Sequence, residues 1–297
     1  MTDTTSRQIA LVTGGGSGIS LAFVKKIHEA GYHILIADLA LHPTASTWID
    51  SLQPNDVDRV KFFKLDVTDW AQLEAAFDHC TTLFHGIPTV VVPGAGVYEP
   101  SSNSFWEDRD SDSRYKVLDI NLVHPIKATR IAVRRLVESG LPGTIIHLSS
   151  IAAQRSSIIT PLYTASKHAL SSFVRGMAPL AQTSGIRVLG VAPGTVSTPL
   201  FSEKPEAAKF LDMERDYLLP PEAVANAMMA LLTQTEEFEP GTMLEVCHET
   251  EWRKVSLLDD PGPQGPASLT SRKKDAVKDI YKYLAPGKAS ADSITTD

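Results

Sequence analysis

Short, wholly apolar runs alternate along this chain with longer stretches of helical periodicity. Ile9–Thr13 is one such run; Gly14-Gly-Gly-Ser-Gly18 follows at once, and Ile19–Ile27 then repeats apolar residues at helical spacing up to a closing Gly31. His33–Ala37 is a second strand pattern ending on Asp38, and Lys61–Leu65 a third ending on Asp66. A helix is predicted over 71–84, then a strand over Thr89–Val92 that runs into Pro93-Gly-Ala-Gly96, and a long helix from about Tyr115 to Ser139, stopped by Gly140. Thr144–Leu148, Arg187–Ala192 and Met243–Val246 supply strands five to seven, with helices expected over 162–182 and 221–234. Strands apolar throughout are buried on both faces, and their alternation with helices predicts an α/β protein with a parallel sheet between two helical layers. Crossovers in such a sheet are right-handed. The expected product is a doubly wound, seven-stranded parallel sheet.

One domain is expected over residues 1–251, followed by a C-terminal extension over 252–297. The extension contains a linker by composition, Asp259-Asp-Pro-Gly-Pro-Gln-Gly-Pro266, then a polar helix over 271–284 and a disordered end over 290–297. It reads equally well as a lid or subunit contact and as a surface appendage.

In doubly wound sheets of this Rossmann type, ligands bind beyond the carboxyl ends of the strands. Gly14, Asp38, Asp66, Gly94, Ser150 and Pro193 all fall at such ends, so separate segments converge on one edge. The Gly14–Gly18 loop lies between a strand and a helix, where glycines permit a tight turn and let backbone amides approach a pyrophosphate at the helix N-terminus. Asp38 stands twenty residues after Gly18. A carboxylate there accepts adenine-ribose hydroxyls and repels a 2′-phosphate, and neither Ser17 nor Leu39 supplies a cation to neutralise one. NAD is therefore expected over NADP. Asp66-Val67 is placed to receive the adenine amino group, although Asp66 is equally placed to cap the helix that starts near Asp69.

Tyr163 and Lys167 are four residues apart in Tyr-Thr-Ala-Ser-Lys, and Ser150 lies thirteen residues before the tyrosine. Residues four apart share a helix face. A cation beside a phenol favours the phenolate and lowers its pKa from about 10. With a serine hydroxyl on the same substrate oxygen, the three groups can move a proton on or off an alcohol or ketone. The spacing alone also occurs where a half-buried tyrosine merely neighbours a solvated lysine. Asn121 adds a separate observation: its helical carbonyl is due a bond from residue 125, which is Pro125 and has no N–H. That carbonyl can hold a water, or the helix can simply kink.

Together these residues resemble the short-chain dehydrogenase/reductase family. Thr13-Gly14, Gly18, Ala95-Gly96, Asn121, Ser150, Tyr163, Lys167, Pro193-Gly194 and Thr198 stand in family order across about Gln8 to Val246. Tyr163–Leu170 and Leu219–Asn226 look most like the NAD-dependent hydroxyprostaglandin dehydrogenase branch. The resemblance implies Tyr163 as general acid/base, Ser150 as the group polarising the substrate oxygen, Lys167 as tuner of the tyrosine and holder of the nicotinamide ribose, and Asn121 as part of a proton relay. It places cofactor contacts at Gly14, Ser17, Gly18, Ile19, Asp38, Asp66, Val67, Gly94, Ala95, Gly96, Tyr163, Lys167, Pro193, Gly194, Val196 and Thr198. It also implies a homodimer or homotetramer. Two positions depart from the pattern: Ser20 replaces the third glycine of the loop, and Pro93-Gly94 replaces an Asn-Asn pair, which puts local rigidity in doubt.

Composition narrows the function further. The 297 residues are 43% apolar and 21% charged, ordinary for a soluble globular protein, and the net charge of −7 argues against a nucleic-acid partner. No apolar run reaches the ~18 residues of a membrane span, and the N-terminus has no secretory h-region. Cys80 and Cys247 are far apart and read as small core residues in a reducing compartment, with the cytoplasm as the default. His147 falls on a buried strand and reads as a satisfied core residue, His168 points away from the Lys167 face, and none of the histidines has a metal-ligand set around it. The segment from Pro199 to Leu219 carries Leu200, Phe201, Phe210, Leu211, Met213, Tyr217 and Leu218, which suits either a cover over a lipophilic substrate or the packing of a short helix. The expected activity is hydride transfer between NAD and a secondary alcohol or ketone. The alternatives are a non-redox nucleotide-binding scaffold and an isomerase or dehydratase on the same fold.

Overall fold

The computed structural model describes residues 8–99, 105–108, 114–203 and 215–256. Seven parallel strands form one sheet: β1 (Ile9–Thr13), β2 (His33–Asp38), β3 (Val60–Lys64), β4 (Val90–Pro93), β5 (Gly143–Leu148), β6 (Ile186–Pro193) and β7 (Met243–Val246). An eighth strand of two residues, β8 (Arg253–Lys254), pairs antiparallel with β7. The spatial order is β3-β2-β1-β4-β5-β6-β7-β8. The order reverses between β1 and β4, where Thr13 lies opposite Pro93. A crevice opens at such a reversal because the two connections leave for opposite faces.

Ten helices surround the sheet: α1 (Gly18–Glu29), α2 (Pro43–Asp50), α3 (Pro54–Val57), α4 (Trp70–Phe84), α5 (Lys116–Leu118), α6 (His124–Ser139), α7 (Pro161–Gly176), α8 (Leu180–Ser184), α9 (Pro199–Ser202) and α10 (Pro221–Thr233), all among the described residues. Side chains alternate across a strand. Ala10 and Val12 of β1 therefore join Phe23 and Val24 of α1 and Val224 and Leu231 of α10 on one face. Ile9 and Leu11 join Phe77 of α4 and Ile131 of α6 on the other. Both faces need apolar residues, so the strand reads as an unbroken apolar run.

Several elements differ from expectation. The helix expected over 162–182 is two helices, because Pro179 has no N–H to continue the ladder; α8 starts at Leu180 and ends on Gly185 in the left-handed conformation. The helix expected from Tyr115 to Ser139 contains a π-helical turn, Asp119–Val123. Helices α2 and α3 each begin with a proline in the first turn and were not foreseen. β8 lies past the boundary placed at residue 251. The Val255 N–H donates to Met243 at 2.8 Å and Trp252 packs on the α1–α10 core, so at least residues 252–256 belong to the domain. The remaining extension, with its expected helix and disordered end, falls outside the described residues, as does the N-terminal segment before Gln8. Cys80 is buried as expected, whereas Cys247 is exposed. Among the described residues no helix is long and apolar enough to cross a membrane.

Candidate active site

A cleft of about 740 Å³ runs along the carboxyl ends of the strands. Its walls include Gly14, Ser17, Gly18, Ile19, Asp38, Asp66, Val67, Gly94, Ala95, Gly96, Ser150, Tyr163, Lys167, Pro193, Gly194, Val196 and Thr198. Asn121, expected to take part in the chemistry, does not line the cleft.

The dinucleotide end is built around close backbone approaches. Gly14 has φ +66°, and a Cβ on it would come 2.5 Å from Ala95 Cα. A Cβ on Gly16 would come 2.4 Å from the Ala40 carbonyl oxygen. Ser17 caps α1 by position and makes no side-chain cap bond, so amides of the first turn stay available beside the cleft. These features fit a pyrophosphate. The Asp38 carboxylate accepts the Gly16 N–H at 2.9 Å and the Leu39 N–H at 2.7 Å, bracing the glycine loop, while burial raises its pKa. Asp66 lies on the wall but takes the Thr68 amide and hydroxyl; Asp69 is the residue that caps α4.

The two departures at Ser20 and Gly94 fit one another. A Cβ on Gly94 would lie 2.3 Å from Ser20 Oγ and 2.9 Å from the Thr13 carbonyl oxygen. The serine hydroxyl thus occupies the space that the glycine leaves. The tie between strand ends is also supplied differently. The Asn121 side chain accepts from the Val97 N–H at 2.9 Å and donates to the Val97 carbonyl at 2.8 Å. Thr13 Oγ1 meets His124 Nε2 at 3.0 Å.

The π turn positions these groups. Pro125 cannot donate to Asn121, and the helix widens so that the His124 N–H reaches Asp119. The His124 imidazole then takes the Ile120 carbonyl through Nδ1 at 3.1 Å. That bond assigns the proton to Nδ1 and leaves Nε2 to accept from Thr13. Burial lowers the His124 pKa to about 4. His147 is buried, with its pKa lowered to about 3, and Nε2 meets Thr129 Oγ1 at 3.1 Å. Its Nδ1 has no hydrogen-bond partner among the described residues, so it is half satisfied rather than fully. His168 is exposed.

Ser150, Tyr163 and Lys167 meet at the other end of the cleft. Ser150 caps a 3-10 turn, Ile151–Gln154, by accepting the Ala152 N–H at 3.1 Å. The Ser150 hydroxyl faces the Tyr163 phenol and eases its pKa. The Tyr98 ring stands between Tyr163 and Phe201, 4.8 Å from one and 5.1 Å from the other, edge to face. The Lys167 ammonium donates to the Leu148 carbonyl at 2.9 Å and lies 5.5 Å from the Tyr163 ring centre. Both groups are buried, and burial dominates both. The Tyr163 phenol is pushed up to about 12 by desolvation first, eased by the Ser150 hydroxyl and reinforced by Tyr98. Lys167 is pulled down to about 8 by desolvation. The phenol is thus shifted opposite to the expected direction, because desolvation by burial outweighs the factors that favour the phenolate.

On the cover, Leu200 and Phe201 line the cleft, and Tyr217 is 63% exposed with its hydroxyl on Glu249 at 2.6 Å. Phe210, Leu211 and Met213 fall outside the described residues. Glu99 escaped the sequence reading: its segment has no periodicity, and a lone acid before a proline gives no signal of burial.

A family model described as short chain dehydrogenase matches residues 8–209. Short-chain dehydrogenase reductase 5 of Arabidopsis thaliana is 29% identical over 246 residues, covering 80% of this chain and 92% of its own. The 3-ketoacyl-(acyl-carrier-protein) reductase of Brucella melitensis, solved with NADH, superposes with a TM-score of 0.67 at 21% identity, covering 81% of this chain and 96% of that one. The NADPH-dependent 3-quinuclidinone reductase of Rhodotorula rubra superposes with a TM-score of 0.68 at 22% identity, covering 81% and 90%. The sheet order, the glycine loop at its crevice and the family match together establish that this chain belongs to the short-chain dehydrogenase family.

Proposed function

We propose that the protein transfers a hydride between NAD(H) and a lipophilic secondary alcohol or ketone. The observation that carries this is the meeting of Ser150, Tyr163 and Lys167 on one wall of a cleft whose other end is the glycine loop with Asp38. The nicotinamide, when bound, supplies the hydride chemistry. The chain supplies the rest. Tyr163 is the proton-transfer group, and a buried phenol with a raised pKa is a donor to a carbonyl oxygen at neutral pH. Ser150 holds the same oxygen. Lys167, with its pKa pulled down to about 8 by burial, holds the cofactor ribose; Asn121 keeps the relay side of the site rigid through Val97. Thr198 packs on Gly18 and is placed to hold the carboxamide. Tyr98, Ile151, Leu200 and Phe201 make an apolar wall, which favours a lipophilic substrate. The motifs at Tyr163–Leu170 and Leu219–Asn226 favour a place beside the hydroxyprostaglandin dehydrogenases. Outer faces of the helices that carry Asn121 and Tyr163 are proposed to pair subunits into a homodimer or homotetramer.

Reduced-nicotinamide absorbance with NAD and a panel from 2-butanol to 2-octanol and cyclohexanol, or with NADH and the matching ketones, tests the reading. Turnover that improves with chain length is expected; tight NADH binding without turnover on any member would favour a nucleotide-binding scaffold instead.

Relatives of the same fold are known with either NADH or NADPH, so the preference for NAD rests on Asp38. Its carboxylate lies in the cleft beside Leu39, which is 60% exposed and carries no charge. Replacing Asp38 by Ala together with Leu39→Arg is expected to move the ratio of kcat/KM values toward NADP by roughly a hundredfold, the size of a like-charge juxtaposition of about 3 kcal/mol. An unchanged ratio would discredit the assignment.

A further inference from the structure

Glu99 is fully buried, with 0% exposure, in the segment that follows β4. Both of its carboxyl oxygens accept backbone N–H groups: Oε1 takes Phe105 at 3.0 Å, and Oε2 takes Tyr163 itself at 2.9 Å. Both carboxyl oxygens therefore serve as acceptors for main-chain donors. Among the described residues no cation pairs with it. A buried carboxyl without a cation is costly unless amides and dipoles compensate it. Here the compensation is the N-terminus of α7. Thr160 stands at the N-cap of α7 and makes no side-chain cap bond, so the first-turn amides need an acceptor from elsewhere. Glu99 reaches in from 64 residues away in sequence and supplies it. The positive end of the helix in turn favours the negative charge.

The same carboxyl also reaches the loop between Ser150 and α7. Its Oε1 fixes the turn Phe105–Glu107, and Trp106 on that turn donates from Nε1 to the Ile158 carbonyl at 2.7 Å. Ile158 lies in the loop that joins Ser150 to α7. Glu99 therefore links the β4 segment that carries Tyr98, the turn that pins the loop after Ser150, and the first turn of the helix that carries Tyr163. A helix start with only a local cap would leave the tyrosine free to shift against the serine.

We propose that Glu99 is a positioning residue that sets the Tyr163 phenol against Ser150 by capping α7 from the segment after β4. This rests on the reading above that Tyr163 is the proton-transfer group. Glutamine has the same shape but only one accepting oxygen, so Glu99→Gln turns an N–H2 toward one of the two amides. With the fastest alcohol of the panel, Glu99→Gln is expected to lower kcat by about ten- to a hundredfold, the scale of a displacement near 1 Å at a reacting group. The KM for NAD, and NADH affinity measured by fluorescence, should stay within about twofold, since the glycine-loop end of the cleft is untouched. A cap with no role beyond stability would lower the melting temperature and leave kcat alone, and that result would overturn the proposal. In the unmodified protein labelled with 15N-tyrosine, the Tyr163 amide should exchange slowly with solvent; rapid exchange there would overturn it without any variant or turnover. Tyr163→Phe serves as the parallel control. If that variant is inactive while Glu99→Gln keeps full kcat, only the Glu99 proposal falls. If Tyr163→Phe keeps full turnover, the role of Tyr163 falls and takes the proposal with it.

Discussion

Tyr163→Phe is expected to reduce turnover by about 10²- to 10⁴-fold, the usual contribution of a positioned general acid or base. The structure makes this a clean substitution. The ring keeps its edge-to-face contact with Tyr98 at 4.8 Å and its place 5.5 Å from the Lys167 ammonium. Only the hydroxyl is lost, and Ser150 Oγ retains its bond to the Ala152 N–H. The net worth of one such hydrogen bond is about 1 kcal/mol, too little to unfold a domain of this size. NADH binding and the melting temperature should therefore remain close to those of the parent while kcat falls. Steady-state rates beside a fluorescence titration with NADH check this, and a variant that turns over at the parental rate would refute the assignment of the phenol.

A second large effect is expected in acid. His124 and His147 are buried neutral, with pKa values lowered by desolvation to about 4 and about 3. In the unfolded chain both titrate near 6.5. Between those values the unfolded state binds more protons than the folded one, so stability rises with pH across the window. The contribution is complete above pH 6.5 and is lost as pH falls toward the folded values. Each histidine then costs about 1.4 kcal/mol per pH unit, so the pair removes on the order of 4 kcal/mol at pH 5. That is a large share of the 5–15 kcal/mol a domain holds. His28, also lowered by burial, adds in the same direction. Thermal melts from pH 7.5 down to 5 should show a steep decline, and it should flatten in a His124→Gln/His147→Gln variant. An unchanged slope in that variant would place the acid sensitivity elsewhere.

Much of this was legible because the sheet is buried on both faces. A strand such as Ile9–Thr13 must then be apolar at every position, and the polar residue that ends it marks the binding edge. Glycines 14 and 18, Asp38 and the Ser150–Tyr163–Lys167 set could be placed on one cleft for that reason. Four features could not. The break at Pro179 was hidden because apolar spacing continues across it. The π turn follows from Pro125, but a sequence with a missing donor permits a kink or a wider turn, and packing chose. β8 has two residues, too few for any pattern to show. Glu99 is the clearest case: its partners are backbone amides at Phe105 and Tyr163, and amides carry no side-chain signature. The direction of the Tyr163 shift was also missed, since spacing gives proximity to a cation but not the depth of burial.

The short strand after β7 has a consequence for assembly. An unpaired outer strand is a template for another chain, and proteins blunt such margins by shortening or charging them. At one margin, β7 is covered by β8, which at two residues offers almost no ladder and carries Arg253 and Lys254. At the opposite margin, β3 carries Lys61 and Lys64. Among the described residues neither margin suits extension of the sheet into a neighbouring chain, which guards against edge-to-edge pairing.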